Sequence, residues 1–344
     1  MPASPVFSEE AGTRPPAPTV VVQTASGGWK SWSLRFALIA LGLSVFANIG
    51  MYTQFRDYFS KTDAPLEKFH SGDRFARQKI VVLEMSGTIM PPYTERLLKQ
   101  IKAAEEADNV QAVLLAVDSP GGFVADSHQI YHALKKLSAK KPVYVQMKRL
   151  AASGGYYISM GAGTEGKIFA EPTTWTGSIG VIIPRYQVQG LAEKLGIESD
   201  PLKTGEFKDA LSPFHPLSEG ERKVWENILD QSFRQFVQVI DENRENLDET
   251  KIRALATGQV YTAQDAVDNG LVDEIGFEED AIDALKKKLE LDKVRVVTYA
   301  HPATLMELLT GSAQAQTPNP WQAVLEASVP RALFYCSWLP PLPQ

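Results

Sequence analysis

Residues 112–122 read AVLLAVDSPGG, and this stretch decides the fold class. Six apolar residues in a row, closed by an aspartate, suit a strand buried on both faces. The Gly121-Gly122 pair just beyond it marks a turn at the strand's carboxyl end. The pattern recurs on either side. Residues 79–85 (KIVVLEM) and 142–147 (PVYVQM) read as strands, residues 94–107 and about 125–138 as helices, and a further helix opens at Ser153. Short apolar runs alternating with helices predict βαβ units and a mostly parallel sheet. Further strands are expected at 167–170, 179–183 and 294–299, a long amphipathic helix over about 218–246, and shorter helices near 248–256 and 278–289. The sequence carries no internal repeat, so residues 79–300 form one catalytic domain.

Around this domain the composition changes. Residues 1–34 are rich in Pro, Ala, Thr, Ser and Gly and read as a disordered cytoplasmic tail. Residues 35–53 read as a transmembrane anchor, because the 17 residues from Phe36 to Tyr52 carry no charge. Lys30 and Arg35 flank the amino-terminal side, which keeps the tail in the cytoplasm and sends the catalytic domain across the inner membrane. Val45-Phe46-Ala47 offers a signal-peptide cleavage site, but the apolar run continues past it and favours an uncleaved anchor. Residues 54–78 read as a polar linker and residues 301–344 as a C-terminal segment without clear elements. A net charge of −6 leaves no basic surplus for a nucleic-acid partner. One cysteine, Cys336, excludes an intrachain disulfide and a multi-cysteine metal cluster.

Two glycine pairs carry the chemistry, Gly121-Gly122 and Gly154-Gly155, each just past a strand end, where ligands collect in open α/β sheets. Ser153 precedes the second pair at a helix start, where free N–H groups and a partial positive charge gather. The N–H groups of Gly122 and Gly154 could together form an oxyanion hole, each donor contributing roughly 3–4 kcal/mol to the transition state. The plainer alternative makes Ser153 an N-cap and the glycines turns.

A nucleophilic serine needs a base, and the histidines supply a poor one. His70 lies in the linker and His301 follows the last strand. His128 and His132, four apart on a helix, could clamp a metal, but no carboxylate motif accompanies them and a packed helix face is the simpler reading. His215 is the one contender. Lys208, in Gly205-Glu206-Phe207-Lys208-Asp209-Ala210-Leu211-Ser212-Pro213-Phe214, reads on its local sequence alone as an ordinary surface lysine, and the company of Ser178 and its glycines makes it the better candidate. Beside an aromatic residue and an apolar turn it is expected to be partly desolvated, which favours the neutral amine. Lowering a lysine from about 10.4 to about 7.5 would cost roughly 4 kcal/mol. Ser178, in Thr176-Gly177-Ser178-Ile179-Gly180-Val181, offers a second hydroxyl to aim that amine at Ser153.

In order along the chain, DSPGG, ASGGYY, TGSIGV and GEFKDALSPF resemble the bacterial signal peptide peptidase A family, as does the later stretch Gly258–Thr262 through Gly270–Gly276. The resemblance covers roughly residues 79–300 and the amino-terminal anchor. It implies an α/β Clp protease/crotonase-like fold of repeated ββα units and a serine endopeptidase that needs no metal or organic cofactor. It carries the nucleophile to Ser153, the general base to Lys208, the lysine-orienting serine to Ser178 and the oxyanion donors to Gly122 and Gly154. It further implies a homo-oligomeric ring in which neighbouring chains complete each other's sites. The substrates it implies are peptides, such as cleaved signal peptides or misfolded exported segments. Gln259 stands where the family usually has Arg, and Ala263 where it often has Gly. Two other classes fit less well: an acyl-CoA enzyme leaves Lys208 and Ser178 idle, and a silent membrane scaffold leaves the whole constellation so.

Overall fold

The computed structural model describes residues 28–59, 65–300 and 333–335. The contacts divide the chain into two compact units at Asp63/Ala64. In the first unit, helix α1 (Gly28–Phe59) contains an apolar stretch of 21 residues, Trp32–Tyr52, with mean hydropathy 1.8 and no buried side chains. At 1.5 Å per residue that stretch spans about 30 Å, the thickness of a bilayer's hydrocarbon core.

The second unit runs β1 (Leu66–Gly72), β2 (Lys79–Ser86), α2 (Tyr93–Glu106), β3 (Val110–Ser119), β4 (Gly121–Phe123), α3 (Val124–Ser138), β5 (Val143–Ala152), α4 (Gly154–Ser159), β6 (Ile168–Ala170), β7 (Trp175–Gly177) and α5 (Gln189–Lys194). It continues with α6 (Glu219–Asp241), α7 (Glu249–Leu255), β8 (Val260–Thr262), α8 (Ala263–Asp268), β9 (Glu274–Ile275), α9 (Glu278–Lys288), β10 (Arg295–Ala300) and β11 (Leu333–Tyr335). The main sheet has the order β1-β10-β2-β3-β5-β6-β9, with β7 beside β5 and β8 beside β7. From β10 through β9 the neighbours are parallel; β1 and β8 join antiparallel.

Period-two alternation splits the apolar strands between two faces. Val81, Leu83, Val113, Leu115 and Val145 pack under Leu97 and Ile101 of α2, Ile130 and Leu134 of α3, and Phe236 and Ile240 of α6. Ile80, Val82, Leu114 and Tyr144 face Ala281, Ile282 and Leu285 of α9. Ser218 caps α6 through a reciprocal pair with Glu221, which fixes where that long helix begins. Beyond its end, buried Arg244 bonds the Gly270 carbonyl at 2.7 Å and the Asp273 carboxylate at 2.8 Å, pinning the turn before β9.

Three expectations change. Residues 66–72, expected within a linker, form β1 against β10; the side chains are exposed on an edge strand and leave no apolar alternation to read. Residues 179–183 are not a strand; the strand is β7, and Ile179 is apolar because it enters the core. The strand expected at 142–147 runs on through Lys148 and Arg149 to Ala152, and that extension builds the site. Of the C-terminal segment, β11 is described and pairs with β4. The expected tail, and His301 with it, lies outside the described residues save for residues 28–34, which belong to α1.

Candidate active site

Strand β5 holds two short parallel partners end to end. Val145–Met147 pair with β6, and Leu150–Ala152 pair with β7. Ala152 stands opposite Gly177, so the next residues on each strand, Ser153 and Ser178, leave the sheet side by side. The Ser153 amide donates to the Gly177 carbonyl at 2.8 Å, and the Ser178 amide to the Gln259 carbonyl at 2.7 Å. Both serines have positive φ, 54° and 50°. Such a conformation costs on the order of 1–3 kcal/mol for a residue with a side chain and persists only where the surroundings impose it. Ser153 is buried and stands at the N-cap of α4, yet its side chain makes no capping hydrogen bond. Capping therefore does not account for this serine.

The two glycine loops meet backbone to backbone. A Cβ on Gly154 would lie 2.7 Å from Ser127 Oγ, 3.0 Å from Gly121 Cα and 3.1 Å from the Gly122 amide nitrogen. Gly121, at φ 100°, admits no side chain either: a Cβ there would lie 2.7 Å from the Gly154 nitrogen. The Gly154 amide is the first of α4 and has no acceptor within its helix. Thus Ser153, Ser178, Gly122 and Gly154 converge at the ends of β4, β5 and β7.

Lys208 is not joined to them within the chain. It sits in a series of turns between α5 and α6, exposed rather than desolvated, and among the described residues its side chain makes no hydrogen bond or ion pair. Its neighbours are engaged with one another. Lys203 bonds Asp209 at 2.7 Å and holds that carboxyl below the usual range. His215 Nε2 lies 3.0 Å from the Asp209 carbonyl, and Nδ1 lies 2.8 Å from that of Pro216. Glu221 accepts the Ser218 amide at 2.7 Å, which likewise lowers its carboxyl. Ligand atoms of Asp209, His215 and Glu221 fall within 4.8 Å of one another, but each already has a protein partner. His128 Nδ1 is 2.7 Å from the Tyr157 hydroxyl.

Sequence reasoning missed Ser127. Its hydroxyl is buried without a partner among the described residues, beside Gly154. The signal was present: Ser127 stands in the 127-130-131-134 stripe that buries Ile130, Tyr131 and Leu134. A polar residue at such a core-facing position calls for a reason.

The profile of a family described as "Peptidase family S49" matches residues 135–292. A protein named "Putative signal peptide peptidase SppA" from Enterococcus faecium is 40% identical over 241 residues, covering 67% of this chain and 69% of that one. "Putative protease slr0021" from Synechocystis is 39% identical over 244 residues, covering 70% and 86%. A solved ClpP1 mutant from Listeria monocytogenes overlaps 58% of this chain and 94% of its own, with a TM-score of 0.41 at 19% identity. The departures from the family pattern sit comfortably: Ala263 is a buried first residue of α8, and the site uses only the carbonyl of Gln259. The chain belongs to peptidase family S49, together with the signal peptide peptidase A enzymes, and is a serine peptidase.

Proposed function

We propose that the protein is a membrane-anchored endopeptidase that works through a Ser–Lys dyad. The observation that carries this reading is the strained Ser153 at the tip of α4, paired with an equally strained Ser178 on the adjoining strand. Neutral Lys208 takes the proton from Ser153, whose oxygen attacks a peptide carbonyl held by the Gly122 and Gly154 amides. Lys208 then protonates the leaving amine, and water releases the acyl group by the same path. Ser178 orients the amine.

The exposure of Lys208 supports a site completed by a neighbouring chain in a ring. The surrounding segment offers apolar surface for such a contact, with Leu202 99% exposed and Tyr186, Leu191 and Leu195 more than half so. The apolar stretch of α1, with Lys30 and Arg35 flanking it, supports a single span that places the catalytic unit outside the cytoplasm. Cleaved signal peptides and misfolded exported segments are the substrates this placement makes available.

The test is hydrolysis of fluorescein-labelled casein by the detergent-solubilised full chain. His215→Ala is expected to retain most of the activity, because the ring lies against the Asp209 and Pro216 carbonyls and makes no hydrogen bond to Ser153 among the described residues. An inactive His215→Ala beside an active Lys208→Ala would overturn the dyad. Gly154→Ala is expected to lower kcat by on the order of 100-fold, since a methyl against Ser127 and Gly121 must displace the amide.

A further inference from the structure

Ser127 carries a buried hydroxyl that the fold does not account for. It stands in the first turn of α3, is fully buried, and its Oγ has no hydrogen-bond partner among the described residues. A serine inside a helix commonly returns its hydroxyl to the carbonyl four residues back, as Ser159 does to Gly155 at 2.8 Å and Ser232 to Ile228 at 3.0 Å. Other buried hydroxyls around the site are likewise engaged with backbone. Ser119 accepts the Gly121 amide at 3.1 Å, and Thr176 donates to the Ala151 carbonyl at 2.7 Å. Ser127 makes no such bond to Phe123. Its Oγ is set instead against the junction of the two glycine loops, 2.7 Å from the point that a Cβ on Gly154 would occupy; the Gly122 nitrogen lies 3.1 Å from that same point. A polar group buried in this way destabilises a fold, and an apolar group in its place is neutral or better. Stability therefore gives no reason for an oxygen here, whereas the amides it adjoins do.

We infer that Ser127 is a positioning residue of the oxyanion hole, its hydroxyl turning toward the negative charge that forms there and reinforcing the Gly122 and Gly154 amides. This rests on the reading of Ser153 and of those amides given above. A hydroxyl already bonded in the resting chain would have to leave its acceptor before answering a new charge, and the exchange would gain little. One without a partner has nothing to break. Its interaction is then made in the transition state alone, the condition under which binding energy speeds a reaction. The hydrogen is free to swing about the Cβ–Oγ bond while the oxygen stays packed. Burial adds to the effect, because a dipole in a water-poor site is weakly screened. No proton and no bond of the substrate passes through Ser127; it acts on the charge.

Ser127→Ala and Ser127→Cys are compared with the wild type as full chains in detergent, on labelled casein. A tripeptide aldehyde probes the hole, since its adduct with a serine places an oxyanion there. Both variants are expected to lose about tenfold in kcat, below the loss for a donor in direct contact, with KM changed by no more than about twofold. Both should bind the aldehyde about tenfold more weakly and melt at or above the wild-type Tm. Cysteine separates the dipole from the space it fills, because it is no smaller than serine and its S–H is a weak donor. Wild-type kcat in Ser127→Cys beside a slow Ser127→Ala would make the residue a spacer and overturn the inference. Wild-type kcat in both variants overturns it equally, as does a loss confined to KM, an unchanged aldehyde affinity, or a Tm several degrees lower. Ser153→Ala is assayed alongside. If that variant keeps wild-type turnover, the reading of the site fails and this inference with it; if it is inactive while both Ser127 variants match the wild type, the inference alone fails.

Discussion

Ser153→Ala is expected to lower casein hydrolysis by about 10⁴- to 10⁶-fold, the range found when a nucleophile is removed from a hydroxyl–base unit. The loss is expected on kcat, because the Gly122 and Gly154 amides, proposed to bind the carbonyl, remain. The fold does not suffer with it. The Ser153 side chain caps nothing, and its amide bond to the Gly177 carbonyl is main chain, which alanine keeps. Thermal unfolding of the variant is therefore expected within a few degrees of the wild type. A variant that keeps a tenth of the activity would remove Ser153 from the chemistry, and one that is inactive but unfolded would leave only a structural role.

Lys208→Ala is expected to give the second large effect, a loss of about 10²- to 10⁴-fold, the range for the general base proposed here. What distinguishes this position is where the base acts. Lys208 is exposed in the single chain and carries no bond to Ser153, so the two variants should complement each other. Mixed rings of Ser153→Ala and Lys208→Ala chains, exchanged at random, would regain roughly a quarter of wild-type turnover, the share of neighbouring pairs with both groups intact. No recovery after verified exchange would assign the base to its own chain.

How much of this was legible depended on what each residue's neighbours demand. The parallel core of β2, β3 and β5 is readable because both faces are covered, which forces unbroken runs such as Ile80–Leu83 and Val113–Val117. The glycine loops are readable because Gly121 and Gly154 approach other backbone too closely for any side chain. β1 is hidden because an exposed edge places no apolar demand on its residues. β7 is hidden because three residues are too few for periodicity; its partner, the tail of β5, defines it. The desolvation expected for Lys208 is not met inside one chain, and local sequence cannot say which molecule's surface covers a side chain. β11 lies in a stretch whose composition announces nothing, and only its pairing with β4 gives it meaning.

The bond that fixes the Ser178 amide ends on the carbonyl of residue 259, a group every amino acid carries. The side chain of Gln259 turns elsewhere, to the Tyr261 hydroxyl. Drift at this position therefore leaves the backbone geometry beside Ser153 and Ser178 untouched, and a lineage is free to exchange arginine for glutamine there without moving either serine.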